Sequence, residues 1–351
     1  MNVLKFKLGS TKPVTGPLKV AWDITYRCNS RCITCSTWKN ENPPELGTDE
    51  CKIIIDELAK NNVISLSFSG GEPLLRRDIY ELISYAKEKG LNVTMNSNAS
   101  LINEKNVKKL CDTGLDIIYI SVDGSNKYTH DKLRGISGSF ERTISNVNLI
   151  KLNRKKKPKI YFNTTINKYN ANEIYDIVKL GYELGIDGIT MQPIHSFSDT
   201  IFSPENELIL RNEDLPVLEE QLKMMQKDFK RNFSFLDDYL KGIKTFIISP
   251  NQLYKYRCVA AYLTMVIGAT GEVYPCPTYF RRCGSIQKET FKEIWYSNEM
   301  DKLRKDIKEN NHPICWFTCV APINVVISIS PRFYKFLNMR LINHILRKMR
   351  G

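Results

Sequence analysis

The chain has 351 residues, 42% hydrophobic and 25% charged, a globular composition that excludes a long disordered region. Its formal net charge is +13, from 51 Lys and Arg against 38 Asp and Glu, which bears on partners more than on fold. No apolar run of about 18 residues exists, so no membrane-spanning helix is expected, and Met1–Gly16 lacks the apolar core of a signal peptide. The expected location is the cytoplasm.

Strands and helices alternate in chain order. Val20–Thr25 reads as a first strand and runs into a loop with three cysteines. Thr48–Asn62 has helical periodicity, with Thr48 as its expected N-cap. Val63–Ser69 is a second strand ending at Gly70-Gly71, and Asp78–Lys89 a helix stopped by Gly90. Strands then follow at Asn92–Ser97, Asp116–Val122, Ile160–Ile166 and Gly188–Pro193. The intervening helices are Asn103–Thr113, Phe140–Leu152 and Ala171–Leu184. The basic run Lys151–Lys159 reads as a solvated turn.

Six βα units with short links imply an α/β fold, a partial (β/α)6 TIM-like barrel over residues 20–211 preceded by a segment 1–19. In such folds chemistry sits at the C-terminal ends of the strands. The cysteine loop, Gly70–Pro73, Asn96–Asn98, Asp123–Gly124, and Gln192 with His195 all fall there. From about Asn212 the pattern changes. A long helix, Asp214–Arg231, leads into a region with five cysteines between Cys258 and Cys319. Residues 212–328 are expected to form a linker helix and a small cysteine-rich α+β domain, followed by a basic tail over 329–351.

Ten cysteines in a cytosolic chain point to metal ligation before disulfides. Cys51 and Cys111 share helical spacing with apolar neighbours and read as core residues. Cys28, Cys32 and Cys35 lie on one tight loop. Thiolate suits iron–sulfur clusters or zinc. Three ligands leave one iron of a 4Fe–4S cube without a protein ligand; a zinc site with a distant fourth ligand is the other reading.

Cys-x3-Cys-x2-Cys after a first strand resembles the signature of the radical S-adenosylmethionine (radical SAM) superfamily. The resemblance implies an oxidoreductase or maturase with a 4Fe–4S cluster whose open iron chelates S-adenosylmethionine. Reductive cleavage then gives a 5′-deoxyadenosyl radical, with flavodoxin or ferredoxin as external electron donor. Thr34 stands where relatives usually carry an aromatic residue against the adenine. Gly70-Gly71-Glu72-Pro73 matches the family's GGEP motif, which implies a hold on the methionine ammonium, the glycines letting backbone approach a ligand. Asn96 and Ser97 are candidates for the ribose hydroxyls or are turn residues. By the same resemblance Ser121 and Arg134 are candidates for the methionine carboxylate. His130 and Asp131 read as a surface turn or helix cap.

Cys258, Gly271 and Cys276 resemble the opening of the SPASM and twitch domains, which hold auxiliary clusters. That likeness extends to Cys283-Gly-Ser-Ile286 and Phe291–Trp295. It implies one auxiliary 4Fe–4S cluster on Cys258, Cys276, Cys315 and Cys319, with Cys283 left over; structural zinc is the alternative.

In the tail, Phe333, Phe336, Leu337, Leu341, Ile345 and Met349 recur at helical spacing among basic residues. The tail is a helix either docked on the core or lying on the inner face of an anionic membrane. The substrate expected is a peptide, a protein or a sugar-like small molecule. Alternatives are a lipid-linked substrate at a membrane and a non-catalytic electron-transfer protein. No nucleic-acid partner is expected, because no reading motif accompanies the charge.

Overall fold

A computed structural model describes residues 2–39, 43–196, 206–230, 233 and 237–329. The amphipathic pattern expected over 329–351 lies, beyond Ile329, outside the described residues. Six strands follow the first two thirds of the chain: β1 (Lys19–Thr25), β2 (Ser65–Gly70), β3 (Asn92–Ser97), β4 (Ile117–Ser121), β5 (Lys159–Ile166) and β6 (Gly188–Pro193). Three more come from the cysteine-rich region: β7 (Thr264–Ile267), β8 (Glu272–Tyr274) and β9 (Gly284–Ser285). All nine form one sheet in the order β6-β5-β4-β3-β2-β1-β7-β8-β9. β1 to β6 pair in parallel, and β7 joins the other side of β1, also in parallel. β8 and β9 complete an antiparallel meander. β6 and β9 are the two ends of this order, so the barrel is open. The sheet therefore runs without a break across the expected boundary near residue 212.

A parallel sheet covered on both faces has near-continuous apolar strands. These strands alternate instead. Val20, Trp22 and Ile24 on β1, Val93 and Met95 on β3, and Ile160 and Phe162 on β5 are buried in the core shared with the helices. Side chains two residues apart point the same way. Asp23, Asn96, Ser121, Asn163 and Gln192 thus share the opposite, concave face, where they remain partly exposed. The barrel is polar inside and apolar outside, under its helices.

The helices carry matching apolar stripes. Thr48–Lys60 buries Cys51, Ile54, Ile55 and Leu58. Its N-cap is Gly47, whose N–H donates to Glu50 Oε2 at 2.7 Å. Thr48, the expected cap, instead donates its hydroxyl to Asp78 Oδ2 at 2.8 Å. In the basic turn before β5, Arg154 pairs with Asp187 and Lys157 with Asp116. Among the described residues six helices escaped the periodicity: Asn2–Lys7, Lys127–Arg134, Asp237–Ile248, Phe291–Trp295, Asn298–Lys308 and Ala321–Ile329. Among the described residues no helix is long and apolar enough to cross a membrane.

Candidate active site

The first cysteine loop is fixed at two places. Gly71 N–H donates to the Thr25 carbonyl and Glu72 N–H to the Arg27 carbonyl, each at 2.8 Å. A Cβ on Gly70 would lie 2.2 Å from Thr25 O, and one on Gly71 2.1 Å from Arg27 O. Gly70 also has φ +110°. The double glycine is thus demanded by the chain entering the cysteine loop, an approach of backbone to backbone. On the far side, Arg31 N–H donates to Arg134 O at 3.2 Å and Ile33 N–H to Leu133 O at 3.1 Å. The Trp38 indole N–H reaches the Cys32 carbonyl at 3.1 Å.

Cys32 is buried, while Cys28 and Cys35 are partly exposed. Burial pushes the Cys32 thiol up to about 11, against the pull of the Arg134 guanidinium and with the push of Cys35, Asp123 and Cys28. Burial likewise raises Cys28, again opposed by Arg134. Arg134 is therefore the cation facing the thiols. Its Nη1 lies 3.1 Å from Asp123 Oδ2, and Asp123 is 2% exposed. This pair holds Arg134 between the end of β4 and the loop.

The other residues singled out from sequence divide between two directions. Ser121 ends β4 opposite Asn163 on the concave face. Asn96 shares that face and donates to Ser69 Oγ at 3.1 Å. Ser97 points the other way, buried, with its hydroxyl donating to Glu72 Oε1 at 2.8 Å. Glu72 is 1% exposed and also accepts from Leu74 N at 3.1 Å and Asn98 N at 2.8 Å. Its carboxylate ties the end of β2 to the end of β3. Pro73 is buried at the start of the 3-10 turn Pro73–Leu75.

His130, expected on a surface turn, is instead buried, and its Nδ1 accepts the Asp123 N–H at 3.3 Å. Burial and then Arg134 lower it to about 4, so it is neutral. Asp131 does cap the following helix, accepting from Gly138 N at 2.6 Å and Phe140 N at 2.8 Å.

The second set of thiols gathers beyond β7. Burial pushes Cys258 up to about 12, with Cys276 and Cys319 adding to the rise. Cys315 is raised well above its usual value by burial, then by Cys258, Cys276 and Cys319. Burial takes Cys319 to about 11, opposed by Lys19. These four share one electrostatic neighbourhood. Cys283 stands aside, with Glu299 and Arg304 as nearer influences and Arg281 O at 3.5 Å. Among the described residues no three His, Cys, Asp or Glu side chains converge as a single ion requires. A zinc ion draws its sulfurs to within about 2.3 Å of one point. A cluster gives each thiolate its own iron, and thiolate donors in sets of three and four suit that group.

Two residues of β1, Lys19 and Asp23, escaped the sequence reading. Burial raises Asp23 to about 6. It and Lys19, both on β1, act on Cys319. Gln192 and His195, at the end of β6, grip the segment between Cys315 and Cys319.

A family model described as the radical SAM superfamily matches residues 22–181, and one described as an iron-sulfur cluster-binding domain (SPASM) matches residues 258–320. The AdoMet-dependent heme synthase of Methanosarcina barkeri is 30% identical over 308 residues, spanning 84% of this chain and 86% of that protein. The chain belongs to the radical SAM superfamily. The mycofactocin maturase of Mycolicibacterium smegmatis is 27% identical, over 81% of this chain and 71% of its own length. Streptococcus suis SuiB bound to S-adenosylmethionine has the same fold, with TM-score 0.69 and 20% identity over 85% of this chain and 70% of that one. The anSMEcpe structure with bound AdoMet aligns with TM-score 0.63 and 17% identity, over 93% of this chain and 98% of that one. This radical SAM enzyme accordingly takes a 4Fe–4S cluster and S-adenosylmethionine, and its SPASM domain an auxiliary iron–sulfur cluster.

Proposed function

We propose that this radical SAM enzyme takes a hydrogen atom from a neutral, polar substrate, a peptide or a sugar-like metabolite, held on the concave face of the barrel. The observation that carries the reading is the placement of two thiol sets about β1, one at its C-terminal end and one beside its neighbour β7. Cys28, Cys32 and Cys35 would hold the cluster with the open iron. Cys258, Cys276, Cys315 and Cys319 would hold a fully ligated one, suited to passing electrons. When bound, the first cluster would supply the one-electron reduction by which S-adenosylmethionine is cleaved.

The chain's own residues orient and shield. Arg134 offers a guanidinium beside Cys28 and Cys32, already steered by Asp123. Backbone at Gly70–Pro73, with Asn96 and Ser121, lines the strand ends where the methionine and ribose would lie. Ser97 reaches them only through Glu72. An external one-electron donor such as flavodoxin or ferredoxin completes the turnover.

Serine, threonine, tyrosine and amide side chains dominate the concave face at Ser69, Asn96, Tyr119, Ser121, Tyr161, Asn163, Thr165 and Gln192. Such groups match amides and hydroxyls. Two relatives are named for peptides, the PqqA peptide cyclase of Rhodopseudomonas palustris among them, and SuiB has been solved with its precursor peptide SuiA. A tetrapyrrole carboxylate is the second reading, favoured by the extent of the match to the heme synthase.

Anaerobic protein reduced with dithionite and given S-adenosylmethionine should form 5′-deoxyadenosine, and Cys32→Ala should form none. Normal formation by that variant would remove the cluster assignment. Iron-coproporphyrin losing carbon dioxide during turnover would favour the second reading over the first.

A further inference from the structure

Lys19 and Asp23 stand on one face of β1, with Ala21 between them. Val20, Trp22 and Ile24 take the other face and enter the core under the helices. Both charged residues are partly exposed on the concave side. Among the described residues, neither side chain has a hydrogen bond or an ion pair. An unpaired charge withdrawn from bulk water costs free energy unless a neighbour of the right chemistry compensates it.

The second thiol set lies against this face. Lys19 pairs with Thr264 of β7, and its backbone N–H donates to the Leu263 carbonyl at 3.1 Å. Leu263 is buried in one apolar cluster with Val259 and Val320, and Cys258 and Cys319 pack against that cluster. Gln192 holds the segment Cys315–Cys319 from the concave face of β6, through Thr318. Lys19 opposes the rise of the Cys319 thiol, while Asp23 adds to it. Thr264 faces the same side as Lys19, since Met265 and Ile267 turn into the core. Its buried hydroxyl has no partner among the described residues, so this side offers a donor as well as a cation.

The other three thiols meet neutral donors. The Thr278 hydroxyl lies 3.3 Å from Cys276 Sγ. The Ala260 N–H and the Asn324 amide bond Cys258, and the Phe317 N–H bonds Cys315. Cys319 differs in facing a full positive charge. Reduction adds an electron to a cluster that its thiolates already make anionic, and net charge and hydrogen bonds to sulfur set the potential at which this happens. A cation beside it favours the reduced form and an anion the oxidised form, both more strongly than in bulk water. We infer that Lys19 and Asp23 set the reduction potential of the second cluster in opposite directions, Lys19 raising it and Asp23 lowering it. The inference rests on the assignment of that cluster to Cys258, Cys276, Cys315 and Cys319. Lys19 thereby makes the second cluster a better electron acceptor than its thiolates alone would, and Asp23 limits the gain.

The test is an anaerobic redox titration of the full chain with both clusters loaded, at about pH 8, where Asp23 is ionised. Reduced-state paramagnetic resonance follows each cluster, and S-adenosylmethionine, which perturbs the first signal alone, tells the two apart. Lys19→Met keeps the aliphatic stem and removes the charge. At a fixed potential its ratio of reduced to oxidised second cluster should fall about tenfold, a midpoint shift of about 59 mV for one electron. Lys19→Arg should restore the midpoint, and Lys19→Gln serves if the methionine variant loads poorly. Asp23→Asn should move the second midpoint upward. A loosened fold would move both variants the same way, so shifts of opposite sign isolate the charge. An unmoved second midpoint in Lys19→Met, or shifts of one sign in both variants, overturns the inference while the second cluster stands. A wild-type chain with about four irons and no second signal removes the cluster assignment, and the inference with it.

Discussion

His195 and Gln192 reach from the end of β6 into the segment that joins Cys315 to Cys319. His195 Nε2 accepts the Trp316 N–H at 2.7 Å, and its ring stacks on Phe317 with centroids 3.8 Å apart. Burial lowers this imidazole to about 3, so it is a neutral acceptor, not a base awaiting a proton. Gln192 Oε1 accepts the Thr318 N–H at 3.2 Å and the Thr318 hydroxyl at 3.0 Å. These contacts fix the segment between two thiols of the second set. His195→Phe keeps the stacked ring and removes the acceptor, leaving a buried N–H unpaired at a cost of about 1–3 kcal/mol. The expected result is a shifted or lost paramagnetic resonance signal from the second cluster, with the S-adenosylmethionine-sensitive signal of the first unchanged. His195→Gln offers a carbonyl at the same reach and should restore it. An unaltered second signal in the Phe variant would reject the positioning role. The thiols themselves were legible in the sequence through their resemblance to the SPASM and twitch domains. The partners of Gln192 and His195 were not, because more than a hundred residues separate them from the segment they hold.

Among the elements, β1 is the hub: it pairs with β2 on one side and β7 on the other, and its end becomes the first cysteine loop. The six parallel strands could be read from sequence within a residue or two, since apolar alternation and glycine stops mark them directly. Helix Lys127–Arg134 could not. It buries only His130 and Leu133 and is polar elsewhere, so no apolar stripe announces it, although Asn126 capping Tyr128 N and Thr129 N and the left-handed Gly135 were both available as end signals. The pairing of β7 with β1 was also hidden, because strand partners leave no trace in a single sequence. The role of the two glycines changed for the same reason, since their neighbours at residues 25–27 lie across the sheet. Gly71→Ala puts a methyl 2.1 Å from a carbonyl oxygen that also accepts the Glu72 N–H. Backbone must move, at a cost of several kcal/mol, and what moves is the approach to Cys28. Iron analysis should find the first cluster depleted while the second persists. Full loading of both clusters in this variant would mean the loop tolerates the shift.

Acid acts on the whole molecule through groups titrating in opposite senses. His130 and His195 are held near 4 and 3, well below the ordinary histidine value. As pH falls below about 6.5 the unfolded chain takes up protons that the folded one refuses, so each removes up to about 1.4 kcal/mol of stability per pH unit. Asp23, raised to about 6 from 3.8, works the other way. Its folded form binds a proton first as pH falls through 6, so stability is gained between about 6 and 4 and is absent above 6. Glu72, raised by burial, adds in the same direction as Asp23. The carboxyls thus offset part of what the two imidazoles remove, and wild-type stability should change only gently across that window. Asp23→Asn has no proton to gain. Its urea midpoint, converted to free energy, should fall more steeply than wild type between pH 6 and 4, by up to about 1.4 kcal/mol per pH unit. At pH 7.5 the same variant should be the more stable of the two, because no buried carboxylate has to ionise. His195→Gln should flatten the acid limb instead. Parallel slopes for wild type and Asp23→Asn would mean that Asp23 titrates in the ordinary carboxylate range, and that the concave face around β1 is wetter than its burial implies.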